Sequence, residues 1–312
     1  MQMLICCVLF AVGLVLIIKG GDAFVDAAGW IARALGIPSF IIGATIVSLA
    51  TTMPEMIVSV MAAAEGKVDM AIGNAVGSVI ANTGLIMAAA MLAMEILCPR
   101  KKFLPQCLML IAAAAALYVG CLGGRLSAVW SLVLLAVFIL FMYQNIRSAR
   151  SEMSGDGRES VDKKTMGKNI LKFLIAAAAI VVGSRLMVTY GCEIAAGLGV
   201  PERIIALTLV AVGTSLPELV TTVTAIVKKE SGLSVGNIIG ANIIDLSLIL
   251  PISSLAAGEA LPVAAQSVAV DLPACLIITV LAMLPLILRQ KASRIQGAVL
   301  LAFYIGYLII VI

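Results

Sequence analysis

Long apolar runs separated by short polar connections fill this chain from end to end. A membrane helix needs about 20 consecutive apolar residues, and the runs meet that length. The pattern predicts ten spans, near Met3–Leu35, Ser39–Ala64, Met70–Leu97, Leu104–Cys121, Ala128–Ile146, Ile170–Leu198, Arg203–Val227, Leu233–Leu255, Ala265–Leu288 and Gln296–Ile312. The first and sixth are long enough to demand strong tilt. One markedly polar segment, Arg147–Lys168, interrupts the series and carries Ser154-Gly155-Asp156-Gly157. It is too short for a folded domain and reads as a mobile loop. The expected organisation is a first five-helix half (1–146), a linker (147–168) and a second five-helix half (169–312).

Composition agrees. Apolar residues make up 62% of the 312, charged residues only 12%, and the mean hydropathy is +1.16. A soluble domain would carry about 25% charged residues. The fold class is therefore an all-α polytopic membrane protein, with the lipid bilayer as its partner. The segment Met1–Ile18 has neither the basic start nor the small-residue cleavage site of a signal peptide, and it runs directly into repeated sequence, so it reads as the first span.

Charge then orients the chain. Arg100, Lys101 and Lys102, most of the linker, Lys228, Lys229, Arg289, Lys291 and Arg294 fall on one side of the predicted alternation. The other side holds little beyond Lys67, Arg125 and Arg203. Cationic loops face the cytoplasm. Both termini are then expected outside, in a plasma (inner) membrane. The net charge of +4 belongs to these loops and implies no nucleic acid. The chain has no histidine, which excludes histidine metal sites and proton relays. The seven cysteines lie mostly inside apolar runs without metal-type spacing and read as small core residues.

The two halves repeat at a constant offset of 163 residues. Leu35-Gly36-Ile37-Pro38 recurs as Leu198-Gly199-Val200-Pro201, and Gly73-Asn74 as Gly236-Asn237. Thr51-Thr52-Met53-Pro54-Glu55 recurs as Thr214-Ser215-Leu216-Pro217-Glu218. Five spans per half is an odd number, so the second half must enter the membrane inverted. That is the architecture of secondary transporters, with the site at the midplane where broken helices meet.

The repeated Pro-Glu motif carries the chemistry. A carboxylate at membrane depth is costly, and a proline there removes a helix hydrogen bond, so each copy marks a functional site. Ser48, Thr51, Thr52, Glu55 and Ser59 share one helical face, and their copies are Ala211, Thr214, Ser215, Glu218 and Thr222. The second and seventh spans should kink or unwind at Pro54 and Pro217. Freed carbonyls, hydroxyls and carboxylates are hard oxygen ligands, suited to Na⁺ or Ca²⁺. Asn74, Ser78 and Asn82 form a second stripe, repeated as Asn237, Ala241 and Asp245. Two carboxylates, Glu55 and Glu218, balance one Ca²⁺. Asp245 is expected to stay neutral, as a hydrogen-bond donor or proton carrier. Lys19, Asp22, Asp26, Arg33, Arg185 and Glu193 read as interface or pairing residues, and Asp271 as a residue near a helix start.

At these motifs the sequence resembles the cation/Ca²⁺ exchanger superfamily, of the prokaryotic sodium/calcium exchanger type. The likeness rests on Gly43-Ala44-Thr45 through Glu55, Gly73-Asn74-Ala75-Val76-Gly77-Ser78 through Asn82, Gly213 through Glu218, and Gly236 through Asp245. It implies one Ca²⁺ site flanked by Na⁺ sites, with the first and sixth helices sliding past the rest. Carried over by position, Glu55 and Glu218 bind Ca²⁺ and share in Na⁺ binding. Thr51 and Thr214 give oxygens to the central ion, beside Thr52 and Ser215 of the same motif. The carbonyls of Ser48 and Ala211 serve the flanking sites, and Ser78, Asn82 and Asp245 complete the centre. Three departures stand out: Ala50-Thr51-Thr52 replaces Gly-Thr-Ser, Ser48 replaces the alanine seen at Ala211, and Ala241 stands where serine is common. The missing hydroxyl weakens one Na⁺ site. The resemblance therefore implies Ca²⁺/Na⁺ antiport, with exchange of Ca²⁺ or another cation against H⁺ as the alternative, and no cofactor. A channel is the rival from another class. An enzyme is disfavoured because no nucleophile–base pair appears and H-E-x-x-H is impossible without histidine.

Overall fold

The computed structural model describes residues 2–94, 96–97, 100–153, 162–199 and 213–311. Its helices are α1 (Gln2–Leu35), α2 (Ser39–Thr51) and α3 (Met53–Ala64), α4 (Val68–Ala93), α5 (Arg100–Cys121) and α6 (Ala128–Met153). They continue with α7 (Lys163–Gly197), α8 (Leu216–Val227), α9 (Ser231–Ala257) and α10 (Ser267–Arg289), and α11 (Arg294–Val311). Among the described residues eight helices are long and apolar enough to cross a membrane, and the pair α2 and α3, bent by 47°, counts as a ninth span. The chain is a multi-pass helical membrane protein. The predicted start of the seventh span, from Arg203, lies outside the described residues, as does the candidate ligand Ala211.

Most boundaries fall within a few residues of those read from hydropathy. The linker is the exception. Helix α6 runs on to Met153 and α7 already starts at Lys163, so both ends of 147–168 are helical. Apolarity marks where the bilayer ends. A helix of good formers carries its own hydrogen bonds past that point.

The repeat is visible in the backbone itself. Helices α3 and α8 have the same bounds at an offset of 163 residues. The first α-helical stretches of α4 and α9, Val68–Ala81 and Ser231–Ile244, keep it too. Even the turn between them is copied: Gly66 and Lys229 both take positive φ, 76° and 60°. Gly36 and Gly199 do the same at 65° and 81°.

The helices pack as two bodies. The larger apolar cluster joins α4, α5, α6, α9, α10 and α11. Helices α4 and α9 are its centre, with 78% and 83% of their most apolar stretch buried. A second cluster joins α1 and α7 with Ile42 and Val47 of α2, Ala225 of α8 and Leu233 of α9, and Phe24 stacks on Phe173 at 4.4 Å. Helices α1 and α7 run antiparallel and touch through glycine: a Cβ on Gly13 would lie 2.9 Å from the Gly183 carbonyl, and one on Gly20 3.2 Å from that of Ala176. At 34 and 35 residues each is roughly 50 Å long, against about 30 Å of hydrocarbon. Two short ribbons tie distant connections: β1 (Ile96–Leu97) pairs with β4 (Lys291–Ala292), and β2 (Arg125–Leu126) with β3 (Leu261–Pro262), both antiparallel.

Candidate cation site

Two matched backbone corners build the site. Between α2 and α3 the chain turns at Thr52, with φ/ψ of −82°/0°, and Pro54 opens α3. Before α8 it turns at Ser215, with −86°/9°, and Pro217 opens the helix. The expected breaks are thus present, and each sets a glutamate in the first turn of the following helix, where the positive end of the helix dipole favours a carboxylate.

The side chains of the site are buried. Glu55, Glu218, Asp245 and Asn82 are all no more than 1% exposed, and Ser48, Thr51, Thr52, Ser78 and Ser215 are buried with them. Thr214 is half-buried. Glu55 lies within electrostatic reach of both Glu218 and Asp245. Among the described residues, no three carboxylates or thiols converge as a compact metal centre. A cation here must draw on neutral oxygens as well.

Hydrogen bonding separates the occupied oxygens from the free ones. The Thr52 hydroxyl donates to the Ser48 carbonyl (2.6 Å) or to Glu218 Oε1 (3.2 Å). It has one hydrogen and can serve one acceptor at a time. Thr51 donates to Asn237 Oδ1 (3.2 Å) or to the Ser48 carbonyl (3.3 Å). The Ser48 carbonyl also accepts the Thr52 backbone N–H at 2.9 Å. By contrast, both carboxylate oxygens of Glu55 and of Asp245, both amide atoms of Asn82, Glu218 Oε2 and the Ser215 hydroxyl have no hydrogen-bond partner. A buried carboxylate left unpaired costs several kcal/mol. The five carboxylate oxygens, the Asn82 amide oxygen and the Ser215 hydroxyl, seven in all, are electron-rich groups that a positive ion would satisfy.

The two halves are not mirror copies in detail. Asn74 donates to the Glu55 carbonyl (3.2 Å) and to the Ser59 hydroxyl (2.9 Å). Its counterpart Asn237 instead accepts from Thr51, and its amide nitrogen, like the Thr222 hydroxyl, is unpartnered. Ala241, four residues on from Asn237 and on the same helical face, is fully buried.

Several features escaped the sequence reading. Asn82 and Asp245 each begin a π-helical turn, Asn82–Met87 and Asp245–Ile249. Such turns insert one residue into the hydrogen-bond ladder and recur at functional sites. A further pair, Asn242 donating to the Thr83 hydroxyl at 2.8 Å, ties α9 to α4 beside them. Thr221, one residue from Thr222, is also buried and unpartnered. Its only sequence signal was a second hydroxyl in an apolar run. A cavity of about 180 Å³ lies beside the site, lined by Pro54, Pro217, Thr214, Ser184 and Arg185.

Four of the residues read as interface or pairing groups, Asp22, Asp26, Arg33 and Glu193, do pair, while Lys19 and Arg185 line cavities. Lys228 meets Asp22 and Asp26, Arg33 meets Glu230, and Cys6 donates to Glu193. Asp271 closes a π-turn, Ser267–Asp271, and accepts from Tyr307 at 2.9 Å.

Known proteins match the chain over nearly its whole length. The sodium/calcium exchanger protein family is matched over residues 5–147 and 168–312. The sodium/calcium exchanger MaX1 of Methanosarcina acetivorans is 31% identical, covering 96% of each chain. The putative antiporter CaxA of Alkalimonas amylolytica is 31% identical over 98% of each. Among solved structures, that of the sodium–calcium exchanger NCX_Mj soaked with 10 mM Na⁺ and zero Ca²⁺ superposes with a TM-score of 0.85 at 30% identity, covering 97% of this chain and 98% of that one. The breaks at Thr52 and Ser215, the buried glutamates and these matches lead to one statement: the chain belongs to the sodium/calcium exchanger protein family.

Proposed function

We propose that this protein is a secondary antiporter that exchanges Ca²⁺ for Na⁺ by alternating access, with Glu55 and Glu218 as its charged ligands. The observation that carries this reading is the set of buried, unpartnered oxygens on Glu55, Asp245, Asn82 and Glu218, gathered at two matched helix breaks. Two carboxylates balance one Ca²⁺ or a pair of Na⁺, so the two ions compete for the same charge. Thr51, Thr214, Thr52, Ser215 and Ser78 supply hydroxyls, and Asn82 an amide oxygen. The carbonyls of Ser48 and Ala211 serve the flanking Na⁺. For Ser48 this requires the Thr51 and Thr52 hydroxyls to swing away. The protein needs no cofactor and performs no chemistry on its substrates.

The architecture of this reading is ten spans in two inverted halves, 1–146 and 169–312, joined by the cytoplasmic linker 147–168. Both termini lie outside a plasma membrane. Ten alternating spans set β1 beside β4 on the cytoplasmic side and β2 beside β3 on the other, and the observed ribbons fit that arrangement. So does the antiparallel course of α1 and α7.

The test is uptake of radiolabelled Ca²⁺ into proteoliposomes loaded with Na⁺, with K⁺, or with an acid interior. Na⁺-loaded vesicles should accumulate Ca²⁺. Glu55→Gln and Glu218→Gln should each lower uptake by about a hundredfold, the loss of roughly 3 kcal/mol from a buried charged contact. Uptake driven by the proton gradient alone would move the protein to Ca²⁺/H⁺ exchange, with Ala241 as the departure responsible. Uptake indifferent to every counter-ion would make it a channel.

A further inference from the structure

Helix α8 carries a candidate ligand, Glu218, near one end and Lys228 just past the other. The ten residue steps between them span a rod about 15 Å long. The Lys228 ammonium is caged by α1. It meets Asp22 Oδ1 at 2.6 Å, the Asp22 carbonyl at 2.9 Å, and Asp26 Oδ1. An ammonium has three N–H donors, and this cage engages all of them. Asp26 is shared with Lys172 of α7 at 3.7 Å. Two residues past Lys228, Glu230 accepts from Arg33 of α1 at 2.9 Å and rests over Gly29, where a Cβ would lie 3.1 Å from its Oε1. Four ion pairs thus join α1 to α7 and to the turn after α8. A lone exposed pair contributes little, but here one lysine, only 22% exposed, is held by two carboxylates at once.

Beneath this cluster α1 and α8 touch at Gly21, and a cavity of about 460 Å³ lined by Leu14, Ile18, Asp22, Val223 and Lys228 runs beside that contact. Gly21 of α1 faces Val220 and Thr224 of α8, and a Cβ there would lie 2.6 Å from Val220 Cγ1. Helix α1 belongs to the smaller apolar cluster, while the helices bearing Asn82 and Asp245 belong to the larger one. The cavity beside Thr214 lies between α3 and α7, lined by Ile57, Val58, Val181 and Val188. That is the half of the molecule away from Lys228.

We propose that Lys228, with Asp22, Asp26 and the Arg33–Glu230 pair, is an ionic latch that pins α1 to the end of α8 and so controls which face of the molecule opens. The latch rests on the alternating-access reading above and adds its control point. A cation pulling Glu218 moves the rigid α8, and Lys228 carries that movement to α1. Lys228 is a positioning residue and touches no ion.

Hydrogen–deuterium exchange of the full-length protein in nanodiscs tests this without any transport assay. In Lys228→Met, exchange should rise several-fold in peptides covering residues 20–36 and 226–234. It should fall in those covering 54–58 and 181–188, because opening one face closes the other. Arg33→Glu alone should give the same reciprocal change, and Arg33→Glu combined with Glu230→Arg should restore the wild-type pattern. Moving the wild-type protein from low salt to molar KCl should reproduce the change without any substitution, since screening weakens such pairs. Faster exchange confined to residues around Lys228, with the cavity segments unchanged, would overturn the latch and leave a merely structural contact. Reciprocal exchange in a protein that moves no Ca²⁺ would keep the latch and sink the transport reading instead.

Discussion

Three buried acids, Glu55, Glu218 and Asp245, lie within electrostatic reach of one another, and their environments are unequal. Glu218 receives a hydroxyl from Thr52. Both glutamates sit in first helical turns, at the favourable end of a helix dipole. Asp245 has neither aid: it begins a π-turn in the interior of α9, and neither of its oxygens is partnered. On the proposed reading two glutamates balance a divalent ion, and a third ionised acid would leave uncompensated charge in a medium of low dielectric. That reading gives Asp245 a neutral role. Asp245→Asn should keep Ca²⁺ exchange within about tenfold of wild type, a change of no more than one hydrogen bond's worth, whereas Asp245→Leu should abolish it. Exchange lost equally in both variants, measured in the same vesicles as Glu55→Gln, would make Asp245 a charged ligand.

Pairs of helices hold these acids in place, and glycine decides how closely they approach. Helices α2 and α9 run parallel, with Gly232 against Ser39, Gly236 against Phe40 and Gly240 against Ala44. A Cβ on Gly240 would lie 2.5 Å from both the Ala44 carbonyl and the Ser48 hydroxyl. Backbone cannot yield as a flexible side chain does, so α9 would be pushed away from the corner at Thr52. Overpacking of this kind costs about 1–3 kcal/mol. Gly240→Ala should lower the thermal midpoint of the purified protein by several degrees and weaken Ca²⁺ binding as Asp245 and Asn237 retreat from α2. An unchanged midpoint would show that the two helices have slack. The same close packing explains why α9 is buried on all sides while α1, α6 and α11 keep broad apolar faces outward, as helices bordering lipid must.

Across the molecule, the repeat and the charge pattern together impose a sidedness. The proposed arrangement of ten inverted spans would place Lys67 outside and Lys291 in the cytoplasm. Both are exposed, in the turns beside Glu65 and Gln290. A membrane-impermeant maleimide should therefore label Lys67→Cys in intact cells and Lys291→Cys in inside-out vesicles, each above the wild-type background. Labelling of both from one face would overturn the inverted arrangement, whatever the transport assay shows.

Much of this was readable before any coordinates. Bilayer thickness sets span length, so apolar runs located the helices. Proline cannot donate a backbone hydrogen bond, so Pro54 and Pro217 located the breaks, and the 163-residue offset paired them. The ionisable residues of those runs named the candidate site, because a carboxylate has few other reasons to lie there. All of these are properties of a residue and its near neighbours in the chain. What the tertiary structure decided involves partners far apart in sequence. Which oxygens are spent and which stay free depends on Thr52 reaching Glu218 and Thr51 reaching Asn237, across 166 and 186 residues. The π-turns at Asn82 and Asp245 leave almost no trace in the hydrophobic pattern, because one inserted residue scarcely alters a helical period. Lys228 reads from the sequence as one more cytoplasmic charge, and only the packing of α8 against α1 shows the two aspartates that enclose it.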